Sequence, residues 1–379
     1  MALMLNEEQS MLRDSARDFI AANAPIAHLR ALRDARDPQG HSPALWSRFA
    51  EMGFAGVLVP ESQGGMGLGC VEAGVIAEEI GRNLSPVPML STAVLGASML
   101  VAGGNEPLKA QWLPKIAAGG TRVALAVDEA SKHRPCQVAA RAERVGERFR
   151  LSGAKTFVVD GHVADLLIVS ARTAGADCDE VGITLFAVDP KAPGVTVERT
   201  QMVDAHNAAR VRLEGVTVGA DAVLGEIGAG LPLLESVLDV GRAVLAAEML
   251  GIADEAFART LAYLKERKQF GRLIGEFQAL QHRAAHLYTE IEITRAAVIR
   301  ALQAVDEGGA DVARFVSLAK ARAGTTVTLA VQEGVQMHGG MGMTDQFDIG
   351  LFMKRARVCQ ELLGDANFHA DRLATAGGY

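Results

Sequence analysis

The order of helical and extended patterns along this 379-residue chain constrains its fold more than any other feature. Residues 1–120 carry apolar side chains at helical spacing, residues 121–225 hold short β-prone runs bounded by Gly, Pro and Asp, and residues 226–379 return to long helical patterns. This order argues against a Rossmann fold, in which strands and helices alternate. We therefore predict a mainly α protein with an N-terminal α-helical domain, a central antiparallel β domain and a C-terminal helical bundle over those three ranges.

Local patterns support these assignments. Asn6 and Gln9 have the spacing of a helix capping box, and Ala16 and Ile20 follow on one face of the helix that it would open. The same reasoning predicts helices over residues 43–52, 71–82, 232–267, 280–305 and 311–338, and strands over residues 123–127, 148–151, 164–170, 183–188, 195–198 and 211–213.

Charge and hydropathy argue against two kinds of partner. The formal net charge is −7, and no basic field covers the chain as a whole, which argues against nucleic acid and anionic membrane surfaces. Residues 83–105 carry no charge and could span a bilayer by length alone, but Pro86, Pro88 and several Gly and Ser residues interrupt them. We predict a buried helix around Thr92–Val101 instead, and no membrane span.

The cysteines predict a reducing compartment. Cys70, Cys136, Cys178 and Cys359 lie far apart, with no Cys-x-x-Cys motif and no His at ligand spacing. We expect mostly buried, reduced thiols rather than a metal site or a disulfide framework. Acidic residues near the start of the chain do not fit a secretory signal, so we expect a cytoplasmic protein.

Two glycine clusters could approach a phosphate. Residues 225–230, GEIGAG, lack the spacing of a dinucleotide fingerprint and predict a loop before a helix. Residues 338–342, HGGMG, end a long helix. They either allow close backbone approach to a nucleotide or serve as an ordinary helix C-cap.

A third cluster, residues 263–282, concentrates positive charge beside aromatic rings. Its basic and aromatic residues are Lys265, Arg267, Lys268, Phe270, Arg272 and Phe277. Arg267 and Phe270 would share a face if the preceding helix continued. An Arg can bind a pyrophosphate through two hydrogen bonds while an aromatic side chain packs on a flat ring. The alternative is a solvated helix end whose positive charges favour the helix dipole.

These clusters closely resemble the acyl-CoA dehydrogenase family of flavoenzymes. The segment TLAYLKERKQFGRLIGEFQALQ precedes VQEGVQMHGGMGMT, and PESQGGMGLG, AEEIGR and LDVGR also match in order and spacing, so the resemblance covers essentially the whole chain. It implies a helical domain, a β domain and a C-terminal four-helix bundle, usually assembled as a tetramer. It also implies FAD as cofactor, α,β-desaturation of an acyl-CoA thioester, and an electron-transfer flavoprotein as partner.

The resemblance also assigns candidate binding residues. Seven match the family's FAD-contacting segments, which hold the pyrophosphate and adenosine of an FAD whose flavin ring lies in the neighbouring subunit: Arg267, Gln269, Phe270, Gln278, Gln336, Gly339 and Gly340. Asp239 and Arg242 match positions that line the acyl-CoA channel.

The chain departs from the family's pattern where the flavin ring and the thioester would lie. In place of Thr-Glu-Pro and Gly-Ala-Gly-Ser-Asp it has VDEASKHRP at residues 127–135, in which Glu129 is retained. In place of Trp-Ile-Thr or Trp-Ile-Ser it has FVV at residues 157–159, which cannot donate the same hydroxyl hydrogen bond.

The expected catalytic base is also missing. The resemblance places the family's glutamate, which removes the α-proton, at Leu363, and the base of a minority of members at Gly241. Abstraction from a thioester needs a well-placed carboxylate with a raised pKa, which neither residue has. Glu361 and Asp365 flank Leu363 and are weak substitutes, so the catalytic residue stays unassigned.

One hypothesis connects the retained and the lost segments. The chain would be one subunit of a hetero-oligomeric acyl-CoA dehydrogenase, similar to the small, base-deficient subunits of some bacterial enzymes, with a second chain supplying the glutamate and the flavin pocket. Three alternatives stay open: a self-sufficient homotetrameric dehydrogenase with an atypical base, a non-oxidative, lyase-like flavoenzyme, and a binding protein without chemistry.

Overall fold

The computed structural model describes residues 3–379 and divides the chain into two compact units. The first unit contains the chain up to Ala31, Cys70–Ser85 and Arg242–Tyr379, and the second contains Leu32–Gly69 and Pro86–Gly241. Each unit is therefore assembled from separate stretches of sequence.

The described residues form eleven α-helices and ten strands. The helices are α1 Glu7–Asn23, α2 Ile26–Asp34, α3 Pro43–Glu51, α4 Cys70–Asn83, α5 Ala97–Gly103, α6 Glu106–Ala117, α7 Gly230–Glu266, α8 Gln278–Glu307, α9 Val312–His338, α10 Ile349–Glu361 and α11 Ala366–Ala376. The strands are β1 Val123–Ala126, β2 Arg141–Val145, β3 Arg148–Val159, β4 Leu166–Arg172, β5 Ile183–Val188, β6 Val195–Gln201, β7 Asn207–Gly219, β8 Val223–Leu224, β9 Lys268–Gln269 and β10 Arg272–Leu273.

The predicted capping box opens α1. The side chain of Asn6 accepts from the Gln9 backbone N–H over 2.8 Å, and the Gln9 side chain accepts from the Asn6 N–H over 3.0 Å. Both exchanges satisfy N–H groups that a helix terminus leaves without partners. Ala16 and Ile20 are buried on the apolar face, as predicted.

In the first unit, α4 and α7 approach each other at backbone distance. A Cβ on Gly81 would lie 2.1 Å from the carbonyl oxygen of Glu248, and a Cβ on Gly251 would lie 1.9 Å from that of Glu78. Any side chain at either glycine would clash with main-chain atoms, so these two positions determine where the helices cross.

The main sheet lies in the second unit and has the strand order β6-β7-β3-β2-β4-β5-β8, with β1 beside β4. Most neighbours are antiparallel, as predicted, but β1 pairs with β4 in parallel register and β2 meets β4 in parallel at Arg141. Strand β2 was not predicted, because its residues, RAERV, carry three charges and only Ala142 is buried. Such a segment lacks the alternation that marks a half-buried strand.

The uncharged stretch of residues 83–105 is largely buried, and its residues 92–101 are helical, as predicted. It contains a π-helical segment, Met89–Gly96, followed directly by α5. The hydroxyl of Thr92 accepts from the backbone N–H of Val123 over 3.0 Å and donates to its carbonyl oxygen over 3.2 Å. Within the part of the chain that the structure describes, no helix is long and apolar enough to cross a membrane.

The expectation of mostly buried thiols holds for only two cysteines. Cys70 and Cys359 are buried, whereas Cys136 and Cys178 are exposed. Both exposed cysteines lie in polar loops of the second unit, where the spacing of cysteines along the sequence says nothing about exposure.

Asp306 of α8 caps the N-terminus of α4 in the first unit. Its carboxylate accepts from the backbone N–H groups of Cys70 and Val71 over 2.6 and 3.1 Å. We expect Asp306→Ala to lower the free energy of unfolding by about 1–3 kcal/mol, because two buried N–H groups lose their acceptor. Urea denaturation measures this.

Glu307→Ala is the matched control for that substitution. Glu307 is adjacent to Asp306 but forms only a surface ion pair with Arg300, which contributes about 0–1 kcal/mol. Equal losses in the two variants would contradict the capping role of Asp306.

Candidate functional site

A short hairpin follows α7. The helix ends at Glu266, and β9 then pairs with β10 in antiparallel register. Phe270 and Gly271 form the tip, with φ of 54° and 80°, as tight two-residue turns require. The condition under which Arg267 and Phe270 would share a helix face is therefore not met. We call residues 265–273 the basic hairpin.

The charge of the basic hairpin faces solvent. Four exposed cations have no ion-pair partner among residues 3–379: Lys265, Arg267, Lys268 and Arg272. Phe270 is 92% exposed, with its ring edge-on to Phe277 at 6.2 Å. The guanidinium of Arg272 lies 4.1 Å from the Phe277 ring centroid. Exposed cations beside an exposed ring suit a flat ligand that carries negative charge.

The end of α9 presents open backbone. Gln336, Gly339 and Gly340 are all exposed, and a Cβ on either glycine would meet no atom within 4 Å. Gly339 has φ of 60° and ψ of −141°, a conformation that only glycine adopts readily. The glycine pair thus lets another molecule approach the main chain closely.

A small apolar cluster joins these two features. Met337, which lies between Gln336 and Gly339, is buried together with Leu264 before the hairpin and Ile274 after it. Phe277 and Leu280 pack against the same cluster. The structure therefore brings all seven predicted FAD residues onto one exposed region of the first unit: Arg267, Gln269, Phe270, Gln278, Gln336, Gly339 and Gly340.

Three aromatic rings that contact one another lie beside this region. The sequence patterns did not predict these contacts. Tyr263 and His338 stack with centroids 4.4 Å apart, and Phe347 lies edge-on to both. Nδ1 of His338 lies 2.7 Å from the carbonyl oxygen of Gly334, and burial lowers the pKa of His338. A neutral imidazole can stay stacked here at physiological pH. The available sequence signal for His338 was its position between two motifs, directly before Gly339.

The two predicted substrate-channel residues lie on α7. Asp239 and Arg242 are one helical turn apart and both are buried. Nε of Arg242 donates to the carbonyl oxygen of Leu363 over 3.1 Å, and its guanidinium lies 5.3 Å from the ring centroid of Phe368. Arg242 therefore anchors the main chain around Leu363.

Leu363 lies in the tight turn between α10 and α11, residues 362–365, which we call the Leu363 turn. Its φ of 58° is in the left-handed region that residues with a side chain rarely adopt. A second buried cation, Lys320 of α9, holds the same turn. Its Nζ donates over 3.0, 3.3 and 3.0 Å to the carbonyl oxygens of Cys359, Gln360 and Gly364.

Burial lowers the pKa of Lys320 to about 8; Cys359 opposes this effect, and the nearby Arg242 cation adds to it. The ammonium group is surrounded by main-chain carbonyls, two of which, those of Cys359 and Gln360, belong to the last turn of α10. Nothing in the sequence distinguishes Lys320 from an exposed lysine, because lysines on helices are usually solvated.

Neither expected base position of the chain offers a carboxylate. Leu363 and Gly241 have none, and each flanking acid has a structural partner. Glu361 forms an ion pair with Arg357 over 2.8 Å, and Asp365 caps α11 by accepting from the Phe368 N–H over 2.9 Å. These contacts argue against Glu361 and Asp365 as substitute bases.

A buried ion pair organises the segment of residues 127–140 in the second unit, which we call the Glu129 loop. Nζ of Lys155 donates to Glu129 over 2.7 Å. Burial lowers the pKa of Lys155, and the neighbouring Glu129 carboxylate opposes that effect. Further contacts of the pair are with Val127, Ser170, Ala139 and Ala140.

Other polar groups of the Glu129 loop bind each other. The carboxylate of Asp128 lies 2.9 Å from Nδ1 of His133 and accepts from the backbone N–H of Arg134 over 3.2 Å. On β3, Phe157 is half exposed with φ of 51°, and Val158 is buried. The loop thus closes on itself through its own side chains.

Comparison with known proteins assigns the family. Three family models match the chain: "Acyl-CoA dehydrogenase, N-terminal domain" over residues 6–120, "Acyl-CoA dehydrogenase, middle domain" over 128–216 and "Acyl-CoA dehydrogenase, C-terminal domain" over 228–377. Mitochondrial isovaleryl-CoA dehydrogenase of Pongo abelii is 32% identical over 363 residues, which cover 93% of this chain and 85% of that protein. The chain belongs to the acyl-CoA dehydrogenase family.

Solved acyl-CoA dehydrogenase structures have the same fold. The steroid ACAD "Tcur3481-Tcur3483", solved as a variant, aligns with a TM-score of 0.89 at 32% identity and covers 98% of both chains. The ChsE4-ChsE5 complex of Mycobacterium tuberculosis aligns with a TM-score of 0.91 at 25% identity, over 100% of this chain and 99% of that one. The prediction of a mainly α flavoprotein with a central sheet, and of FAD as cofactor, is confirmed.

The burial of the Lys320 ammonium beside the Leu363 turn can be tested through pH. The folded state binds the proton of Lys320 less tightly than the unfolded state does. The free energy of unfolding therefore increases as pH rises from about 8 towards the ordinary lysine pKa. We expect the free energy of unfolding, relative to Lys320→Met, to increase by about 1–2 kcal/mol between pH 7 and pH 9.5. Urea denaturation of both proteins at the two pH values measures this difference.

Lys354→Met controls for charge removal, because Lys354 is exposed on α10. The free energy of unfolding of this variant should change with pH in the same way as that of the wild type across the same range. Parallel curves for Lys320→Met as well would contradict the lowered pKa of Lys320.

Proposed function

We propose that this chain is one subunit of a hetero-oligomeric acyl-CoA dehydrogenase that removes two hydrogens from the α and β carbons of an acyl-CoA thioester. A second chain supplies the catalytic carboxylate and the pocket for the flavin ring. This chain supplies the surface for the adenosine and pyrophosphate end of that FAD.

The Leu363 turn is the main observation that supports this proposal. Arg242 and Lys320 bind two carbonyl oxygens of this turn, those of Leu363 and Gly364, and Lys320 binds two more at the end of α10, so the position that resembles the family's base is held in place. Its side chain is nevertheless a leucine, which cannot accept a proton. A well-ordered turn without its acid fits a subunit whose partner carries the base better than it fits a decayed active site.

The basic hairpin supports the second half of the proposal. Arg267 and Lys268 are exposed and have no ion-pair partner among the described residues, so a pyrophosphate could pair with them at little desolvation cost. Gly339 and Gly340 leave room for a nucleotide beside the main chain. The exposed ring of Phe270 is available to a ligand that is bound in a neighbouring subunit. These groups fit the anionic end of FAD.

The Glu129 loop fits the flavin ring poorly. Asp128 and Glu129 bind groups of the loop itself and the Lys155 ammonium, and Phe157 and Val159 have no hydroxyl to offer. A reduced flavin is electron-rich, so a carboxylate such as Asp128 close to it would be unfavourable. This chain therefore retains the half of the cofactor site that serves a neighbour.

The similar structures and the thiols add two details. ChsE4-ChsE5 is named as a complex of two different chains, which is the arrangement proposed for this chain. We place the complex in the cytoplasm, where unpaired cysteines stay reduced. An electron-transfer flavoprotein would accept the electrons.

Turnover separates this proposal from a self-sufficient homotetramer. We expect the lone chain to show no dehydrogenase activity towards acyl-CoA substrates, and activity to appear when the second chain is co-expressed. In that complex Glu361→Gln and Asp365→Asn should each keep turnover within about two-fold, because neither acid acts as the base. A dye-coupled dehydrogenase assay measures this.

Activity of the lone chain that Glu361→Gln or Asp365→Asn abolishes would contradict the proposal and support the homotetramer. Asparagine can still cap α11, so loss of folding does not confuse the second variant.

The basic hairpin gives a separate test in the complex. Arg267→Gln should weaken FAD retention by about 10–100-fold, because a charged hydrogen bond to pyrophosphate contributes about 1.5–3 kcal/mol. Arg314→Gln is the matched control, since Arg314 is exposed at the opposite end of α9. Release of FAD on dilution, followed by flavin fluorescence, measures the difference. Equal release from the two variants would contradict a role for Arg267.

A further inference from the structure

Two exposed thiols occupy equivalent places in neighbouring turns of the second unit. The Gln137 N–H donates to the Arg134 carbonyl over 2.9 Å, which makes Cys136 the third residue of one turn. The Asp179 N–H donates to the Ala176 carbonyl over 3.1 Å, which makes Cys178 the third residue of the other. Both cysteines are exposed and in no disulfide.

One buried guanidinium holds the two turns against each other. Arg172, at the end of β4, is almost fully buried. Its Nη2 donates to the carbonyl oxygens of Cys136, Asp177 and Asp179 over 3.0, 2.8 and 2.8 Å. The carbonyl of Cys136 and the two carbonyls on either side of Cys178 therefore meet at a single nitrogen atom.

Further contacts keep the turns in register. The Val138 N–H donates to the Asp177 carbonyl over 2.8 Å, and Nε of Arg172 donates to the Val138 carbonyl over 2.9 Å. Arg141 of β2 binds the Gly175 carbonyl over 2.8 Å and the Asp177 carboxylate over 2.5 Å. The main chains around the two cysteines are thus tied together on both sides.

We propose that Cys136 and Cys178 form a redox-active dithiol that closes to an intramolecular disulfide. The oxidant is a peroxide. The first thiolate attacks one peroxide oxygen and becomes a sulfenic acid while water leaves; the second thiolate then displaces the sulfenic oxygen as a second water. Two thiols and one hydrogen peroxide yield one disulfide and two waters, and a cellular dithiol reverses the step.

The disulfide would lock the C-terminal part of the Glu129 loop to the connection between β4 and β5. Both thiols lie on turns rather than in strands, and the two turns must move so that the sulfurs come within bonding distance. Cys70 and Cys359 take no part, because both are buried and burial raises the pKa of Cys70. The inference is independent of the proposed function.

Intact-protein and peptide mass spectrometry test the dithiol. The reduced, full-length protein is treated with one equivalent of hydrogen peroxide and then with N-ethylmaleimide under native conditions. We expect most chains to lose two hydrogens, to take up no maleimide, and to yield a peptide pair linked through Cys136 and Cys178. Cys136→Ser and Cys178→Ser should each abolish that link.

Three outcomes would overturn the proposal. They are two maleimides on the peroxide-treated wild type, a disulfide between two molecules, and oxidation of each cysteine to a sulfinic acid without a link. The wild-type measurement needs no substitution, so a folding defect in a variant cannot mask the result.

Discussion

The ammonium of Lys320 is the interaction on which the Leu363 turn depends. It lies buried among the carbonyl oxygens of Cys359, Gln360 and Gly364. Arg242 binds the carbonyl oxygen of Leu363 in the same turn. Burying a cation without a carboxylate is unfavourable, and the lowered pKa of Lys320 reflects that cost. Without these donors, the end of α10 and the left-handed Leu363 would both lose their support.

The anchoring of the Leu363 turn determines how the absence of a carboxylate at this position is interpreted. A site under no constraint would lose its supporting residues together with its acid. Here the turn and the exposed basic hairpin are present, whereas Leu363 has no carboxylate and the polar groups of the Glu129 loop bind one another and Lys155. This combination fits the proposed second chain, which would supply the catalytic carboxylate and the pocket for the flavin ring.

Much of the fold followed from the sequence because local signals were strong. The Asn6–Gln9 capping box and the long helical repeats depend on neighbours in sequence. Sequence patterns are less informative where tertiary contacts decide the outcome: β2 joins the sheet through its partner strands, and Lys320 and Arg172 are buried among main-chain carbonyls. Likewise, a turn exposes Cys136. The seven FAD candidates were found through motifs, but only the cluster around Met337 shows that they lie together.

Native mass spectrometry of the lone chain and of the complex with its second chain can distinguish a shared FAD site from a self-sufficient one. We predict a lone chain without FAD and a complex with one FAD for each pair of unlike chains. One FAD bound to every copy of the lone chain would contradict a shared site.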